Sequence, residues 1–239
     1  LNSKSDLILE TAGSIKAKDN FDNFKIKEKY NYSKKSFDIV GTLGLTNSKV
    51  QVSKLNYNKN YGEESKIDFD VNFILNKSYD IKKLNFLSGK NRIFLSNIKL
   101  NKNFEILDLK KLKVNTFIEG VENNDFVVNK NKKIIITGKL FDAQPLLKSL
   151  YKKNEKKTFS RSFNSEIKIN FEKTITGTND DVSDFAMVAS INKGSYNKLN
   201  LKGNFSDDEI VEMSIYQVDG DKKTLQVISD RARPFIKNF

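Results

Sequence analysis

The sequence predicts a mainly β protein: an elongated, curved, antiparallel meander sheet, groove-like, with one or two short helices. Three observations predict it. Apolar residues recur at every second position through much of the chain, as strands with one dry and one wet face require. Short breaks carrying Asn, Asp and Gly separate these runs and join neighbours as antiparallel hairpins. Only two prolines occur, and each opens a short apolar phrase of helical spacing.

The elements follow in order. Residues 49–57 read as a strand with Val50, Val52 and Leu55 on one side and one slip in the period. In 66–75, Ile67, Phe69, Val71, Phe73 and Leu75 alternate with Lys66, Asp68, Asp70 and Asn72, which gives one dry face. Residues 107–112 have Asp108 as a weak cap and read as a short helix or a turn. Asn129 to Asn131 separates two β runs, as do Asn192 to Gly194 and Asp219 to Asp221; these residue types tolerate the positive φ of tight hairpin turns. A helix is predicted over 142–151, with Asp142 as cap, Pro145 in the first turn, and Leu146, Leu147 and Leu150 as its stripe. The charged stretch 152–161 reads as a loop. Ile167, Ile169 and Phe171 alternate with Glu166, Lys168 and Asn170, and Val211, Met213 and Ile215 repeat the pattern. Pro234, Phe235 and Ile236 echo Pro145 to Leu147 and predict a second helix over 230–239. Gly41 and Gly203 each sit in a strand that a polar turn joins to a longer alternating strand. Repetition of such hairpins builds an extended sheet rather than a compact sandwich.

Composition removes several kinds of chemistry. The 239 residues include no His, Cys or Trp, so there is no imidazole base, thiolate or disulfide. The net charge is +12, yet Lys supplies nearly all of it, with Arg only at 92, 161, 231 and 233. Phosphate and base recognition favour the planar Arg fork. The basic residues are also spread along the chain, and the region 179–221 is acidic. A solvated surface is the first reading, anionic lipid headgroups the second, and nucleic acid the last. No run of about 18 apolar residues is present to span a membrane as a helix.

Carboxylates are the remaining acids and bases. Asp68 and Asp70 share a strand face, but it is the wet face of a strongly alternating run, where solvated charge is the simpler reading. Asp207 to Glu209 reads as a polar turn, and Asp219-Gly220-Asp221 lacks the spaced oxygen ligands of a calcium loop. Gly41 to Gly44 lies within a β pattern, without the helix that presents phosphate-binding amides. No catalytic residue, cofactor or metal site is predicted.

What remains is the apolar surface of the strands. With 18 Phe and 8 Tyr in a polar chain, the dry faces form either an ordinary core between layers or an open groove. The sequence leaves both open. If the face is a groove, Ile67, Phe69, Val71, Phe73, Ile167, Ile169 and Phe171 are the lipid-binding candidates, and glutamate at Phe69 or Phe171 is expected to abolish lipid binding without unfolding.

Several phrases carry a family resemblance. They are Phe185 to Ala189, Leu199 to Phe205, Ile210 to Tyr216 and Lys223 to Asp230, with Gly138 to Leu147 upstream. From residue 134 onward the chain resembles the C-terminal part of AsmA-like proteins, the YhdP- and TamB-type envelope proteins, including the domain of unknown function found in YhdP-type chains. One departure is Asp230-Arg231-Ala232, where many relatives have Asp-Ala-Gly. The resemblance implies a segment of a longer chain, with 1–133 as an N-terminal β-meander and 134–239 as the AsmA-like C-terminal segment. It also implies a periplasmic protein of a Gram-negative-type cell, anchored in the inner membrane through a helix outside these residues. Such a protein carries phospholipid between inner and outer membranes along a hydrophobic β groove, without catalysis. Its partners would be phospholipid acyl chains and envelope proteins, not nucleic acid. The alternative is a structural or adhesive β domain that acts through protein contact. A carbohydrate-active enzyme would need two acids facing one cleft, and no spacing points to that.

Overall fold

The computed structural model describes residues 6–232 apart from 76, 105, 151–163, 178–179, 207 and 220–221. Among the described residues the strands are β1 (Leu7–Ala17), β2 (Asn20–Asn31), β3 (Ser36–Gly44), β4 (Val50–Val52), β5 (Tyr57–Lys59), β6 (Ser65–Ile74), β7 (Ser78–Ser88) and β8 (Asn91–Asn101). They continue with β9 (Ile106–Ile118), β10 (Val121–Lys130), β11 (Ile134–Asp142), β12 (Ser165–Ile175), β13 (Val182–Asn192), β14 (Ser195–Asn204), β15 (Ile210–Asp219) and β16 (Lys222–Ser229). One α-helix, α1 (Gln144–Leu150), lies between β11 and β12.

The protein is mainly β. An open 14-stranded sheet runs in the order β1-β2-β3-β6-β7-β8-β9-β10-β11-β12-β13-β14-β15-β16, and β4 and β5 form a separate two-stranded ribbon. Apart from β3 and β6, which pair across the ribbon, chain neighbours are sheet neighbours, so the predicted meander is the architecture. The β13–β14 hairpin turns through Lys193 at φ 50° and Gly194 at φ 72°, the paired positive angles such a turn needs. One pair departs from the antiparallel rule: β11 and β12 run parallel, with Ile134 opposite Ile167 and Gly138 opposite Phe171. A parallel neighbour requires a crossover, and α1 is part of it.

Three local expectations change. The strand read over 49–57 is folded in two, because a 3-10 turn (Ser53–Leu55) separates β4 from β5; that turn is the slip in the period. Residues 107–112 are part of β9, not a helix; cross-strand partners on β8 override the weak Asp108 cap. Most of the second predicted helix, 233–239, lies outside the described residues, and its start at 229–232 is the end of β16 and a bend. The loop expected at 152–161 lies outside them as well.

By Cα packing the chain divides into two compact units. The first holds Leu1–Val52 and Tyr57–Thr116, the second Ser53–Asn56 and Phe117–Phe239. The sequence division at 133/134 marks the start of β11.

In the second unit, Asp142 is 1% exposed and joins several segments. Its Oδ1 accepts the Gln144 backbone N–H at 3.0 Å, which is the predicted helix cap. Its Oδ2 accepts the Asn56 side-chain amide at 2.8 Å. Asn124 Oδ1 accepts the Asp142 N–H, and Asn124 Nδ2 donates to the Leu55 carbonyl. Near the end of this unit, Arg231 ties β15 and β16 to the entry of β13. Its guanidinium donates to Glu209 through two nitrogens and reaches Asp180 at 2.9 Å.

Candidate functional site

The first unit has a broad apolar face. Cross-strand register builds it row by row, because residues directly opposite one another share a face. One row reads Phe24, Leu43, Ile67, Phe86, Ile93 and Val114. The next reads Ile26, Gly41, Phe69, Leu84, Leu95 and Leu112. A third runs Ile39, Val71, Ile81, Ile98 and Leu109, and a fourth Tyr30, Phe37, Phe73, Tyr79, Leu100 and Ile106. The predicted residues Ile67, Phe69, Val71 and Phe73 are therefore the β6 members of four rows. All four are half-buried, with their flanks shielded by cross-strand neighbours.

Composition alone does not reveal why the rows stay continuous. On β7 the apolar period skips a step between Ile81 and Leu84, on β8 between Leu95 and Ile98, and on β9 between Leu109 and Leu112. Ile81 faces Ile98 and Lys83 faces Ser96, and on the next strand Ile98 faces Leu109 and Leu95 faces Leu112. The extra residues thus lie side by side on three strands. Against β6, Lys82 is the bulged residue, and Asn97 takes φ 53°. The irregularity forms a column, and the dry face crosses it intact.

The two ends of these strands differ. At one end the β4–β5 ribbon packs on the first row. Tyr57 is 2% exposed and meets Phe86 edge-on at 5.7 Å. Burial pushes its hydroxyl pKa up. Behind it Lys59 is fully buried, and its ammonium donates to the carbonyls of Leu45, Thr46 and Ser48 at 2.6, 3.0 and 2.7 Å. Burial pushes the Lys59 pKa down, against the pull of Glu63 and Asp22. At the other end an aromatic ladder runs across the strands. Tyr30 lies 4.7 Å from Phe37, Phe37 stacks on Phe73 at 4.9 Å, and Phe73 on Tyr79 at 6.1 Å.

The opposite face of this unit is mostly polar, and several of its acids are paired with neighbouring side chains. Asp68 accepts from Thr42 at 2.8 Å and pairs with Lys66; the Thr42 bond is the main cause holding its carboxyl below the usual range. Lys82 Nζ binds Asp38 at 2.9 Å and Asp70 at 3.5 Å. Asp68 and Asp70 are thus partners of neighbouring side chains rather than a free acid pair. Among the described residues no group of three or more acids is placed to hold a metal ion.

The second unit has its own apolar rows. Ile134, Ile167, Ala189, Leu199, Ile215 and Leu225 form one, and Ile136, Ile169, Met187, Leu201, Met213 and Val227 another. Here the predicted Ile167 and Phe171 are 5% exposed and Ile169 is half-buried. Phe171 stands among Phe126, Phe141 and Phe185, stacked on Phe141 at 5.0 Å. It belongs to a packed aromatic core, so glutamate at Phe171 would cost folding itself, and Phe69 is the better probe of a surface role.

The residues that sequence reading missed, Leu84, Leu95, Leu100 and Leu112, lie on the three strands whose alternation is broken. Their signal is the shared three-residue skip. No known protein family, characterised protein or solved structure matches the chain. Among the described residues no helix is long and apolar enough to cross a membrane.

Proposed function

We propose that the chain is a non-enzymatic lipid-carrying β segment of the AsmA-like kind, with phospholipid acyl chains lying along the apolar rows of the first unit. The observation that supports this reading is a face apolar over neighbouring strands from β3 to β9, buried at Phe86, Ile93, Ile98 and Val114 and half-buried at Phe37, Phe69, Val71, Phe73 and Leu84. Strands lie about 4.8 Å apart, so a six-residue row runs roughly 24 Å. One leaflet of hydrocarbon is about 15 Å deep, half of a roughly 30 Å bilayer core, so a single row is long enough for one chain. Each methylene taken from water contributes about 0.8 kcal/mol, and the ligand needs no chemistry from the protein. Asp38, Asp68 and Asp70 of the polar face are each held by a lysine, which fits a carrier better than a hydrolase. The AsmA-like resemblance would place this transport in the periplasm, between two membranes, with inner-membrane anchorage supplied elsewhere.

Native mass spectrometry of gently purified protein tests the reading. Lipid should accompany the wild-type chain, and Phe69→Glu should lose most of it while circular dichroism stays unchanged. A lipid-free wild type, or undiminished lipid in the variant, would rule the reading out. The structural or adhesive alternative has one observation of its own: on β16, Leu225 and Val227 are 58% and 43% exposed, a surface suited to protein contact.

A further inference from the structure

Three turns project from the aromatic end of the first unit, those joining β2 to β3, β6 to β7 and β8 to β9. Each carries a large apolar side chain in solvent: Tyr32 is 38% exposed, Leu75 61% and Phe104 65%. Each also carries exposed lysine, namely Lys34 and Lys35, Lys77, and Lys102. We propose that this end is a docking tip for an anionic bilayer surface, with Leu75 and Phe104 entering the boundary between headgroups and acyl chains.

Four features select a bilayer. First, Phe104 is a bulky residue at φ 60°, a left-handed conformation that favours Gly or Asn, yet most of its ring stays in water. Second, the exposed groups rest on a firm base. Phe104 stacks on Tyr79 at 4.6 Å, and Tyr32 meets Tyr30 edge-on at 4.8 Å, so the ladder of the fourth row holds the tips in place. Third, Tyr with a polar end and an apolar ring is suited to the headgroup level, and lysine stems extend to phosphate from there. Fourth, the charge has the right sign. Against four lysines the turn sequences hold one acid, Glu105, outside the described residues. On the adjoining polar face Asp38, Asp80 and Asp108 line one cavity with Lys34, Lys82, Lys99 and Lys110, and Asp38 is paired with Lys82. At the ribbon end, by contrast, Asp19, Glu63 and Glu64 offset the lysines of the turns.

The proposal does not depend on the lipid-carrying reading, and vesicle co-sedimentation separates the two. The 239-residue chain is spun with vesicles of phosphatidylcholine alone or with one quarter phosphatidylglycerol. It should sediment with the anionic vesicles and not with the neutral ones, and binding should weaken as salt rises. Lys34→Gln with Lys77→Gln should lower the partition coefficient roughly 25-fold, about fivefold per lysine. Leu75→Ser with Phe104→Asn should lower it about tenfold or more, with circular dichroism unchanged, because Asn accepts the left-handed backbone and the strands beneath keep their pairing. Phe69→Glu, the probe of lipid carriage, should leave vesicle binding intact. Equal binding to both vesicle types, or wild-type binding by both double variants, would overturn the docking tip.

Discussion

Lys59 shows how one side chain fixes a segment that the period of the sequence misreads. Residues 49–57 look like one strand because Val50, Val52 and Leu55 fall on one side. Three carbonyls from the chain before β4 converge on the Lys59 ammonium, and the chain doubles back to satisfy them. A buried cation with three acceptors is stable, but acceptors left without it are costly. Lys59→Met keeps the stem and removes the charge, and should lower unfolding stability by roughly 2–3 kcal/mol in urea titration. A loss under about 0.5 kcal/mol would show that the ribbon holds without it. Asp142 was readable because a helix cap is a local matter. Its bonds to Asn56 and the joint role of Asn124 were not, since they link residues far apart in sequence. Arg231 was visible only as a departure from a family phrase, and its link to Glu209 and Asp180 needed the fold.

At the level of elements, alternation revealed β6, β12 and β15 directly, and it failed where strands carry an extra residue. β7, β8 and β9 each skip a step, so no single strand shows a clean period, although the three skips align in the sheet. Register is a property of pairs, which is why the fold was needed to see it. Gly41 belongs to the same argument. A Cβ there would come within 2.5 Å of the Lys25 carbonyl oxygen and 2.9 Å of the Phe69 ring, so glycine lets the Phe69 ring lie over β3. The bulge also has an electrostatic fastening. Lys82 holds the Asp38 carboxyl below its usual range, helped by Asn72 and opposed by burial. A carboxyl with a lowered folded pKa contributes stability above its unfolded value, about 3.9, and loses it as pH falls through the folded value. Lys82→Ala should therefore be less stable than wild type at neutral pH, and the two should converge towards about pH 2. Parallel stability curves over that range would show that the pair is not what fastens the bulge.

For the whole molecule, fold class was legible because a period of two over most of a chain admits little besides sheet. Whether a dry face was covered was not legible. Phe69 and Phe171 have the same sequence environment, yet one is half-buried and the other lies within an aromatic core. The difference comes from the rings that the neighbouring strands bring, Phe141 on β11, Phe185 on β13 and Phe126 on β10, and alternation within one strand does not encode that. The absence of His and Cys, together with acids that are paired across strands, leaves the apolar rows as the feature with most to offer a ligand.

The parallel pairing of β11 with β12 bears on how the sheet forms. Every antiparallel neighbour with a short turn can zip up locally, at a small entropic cost for each closure. The parallel seam cannot, because the stretch between Asp142 and Ser165 must first be drawn into a closed ring. Apart from β3 and β6, which close over the ribbon, the strands assemble as runs of fast hairpins, and the parallel seam is expected to be the late encounter. Doubling that stretch with Gly and Ser should raise the closure cost by about 0.6 kcal/mol. The slowest refolding phase should then slow about threefold while the unfolding rate stays unchanged. If refolding speed proves indifferent to the length of the crossover, the seam is not the late step.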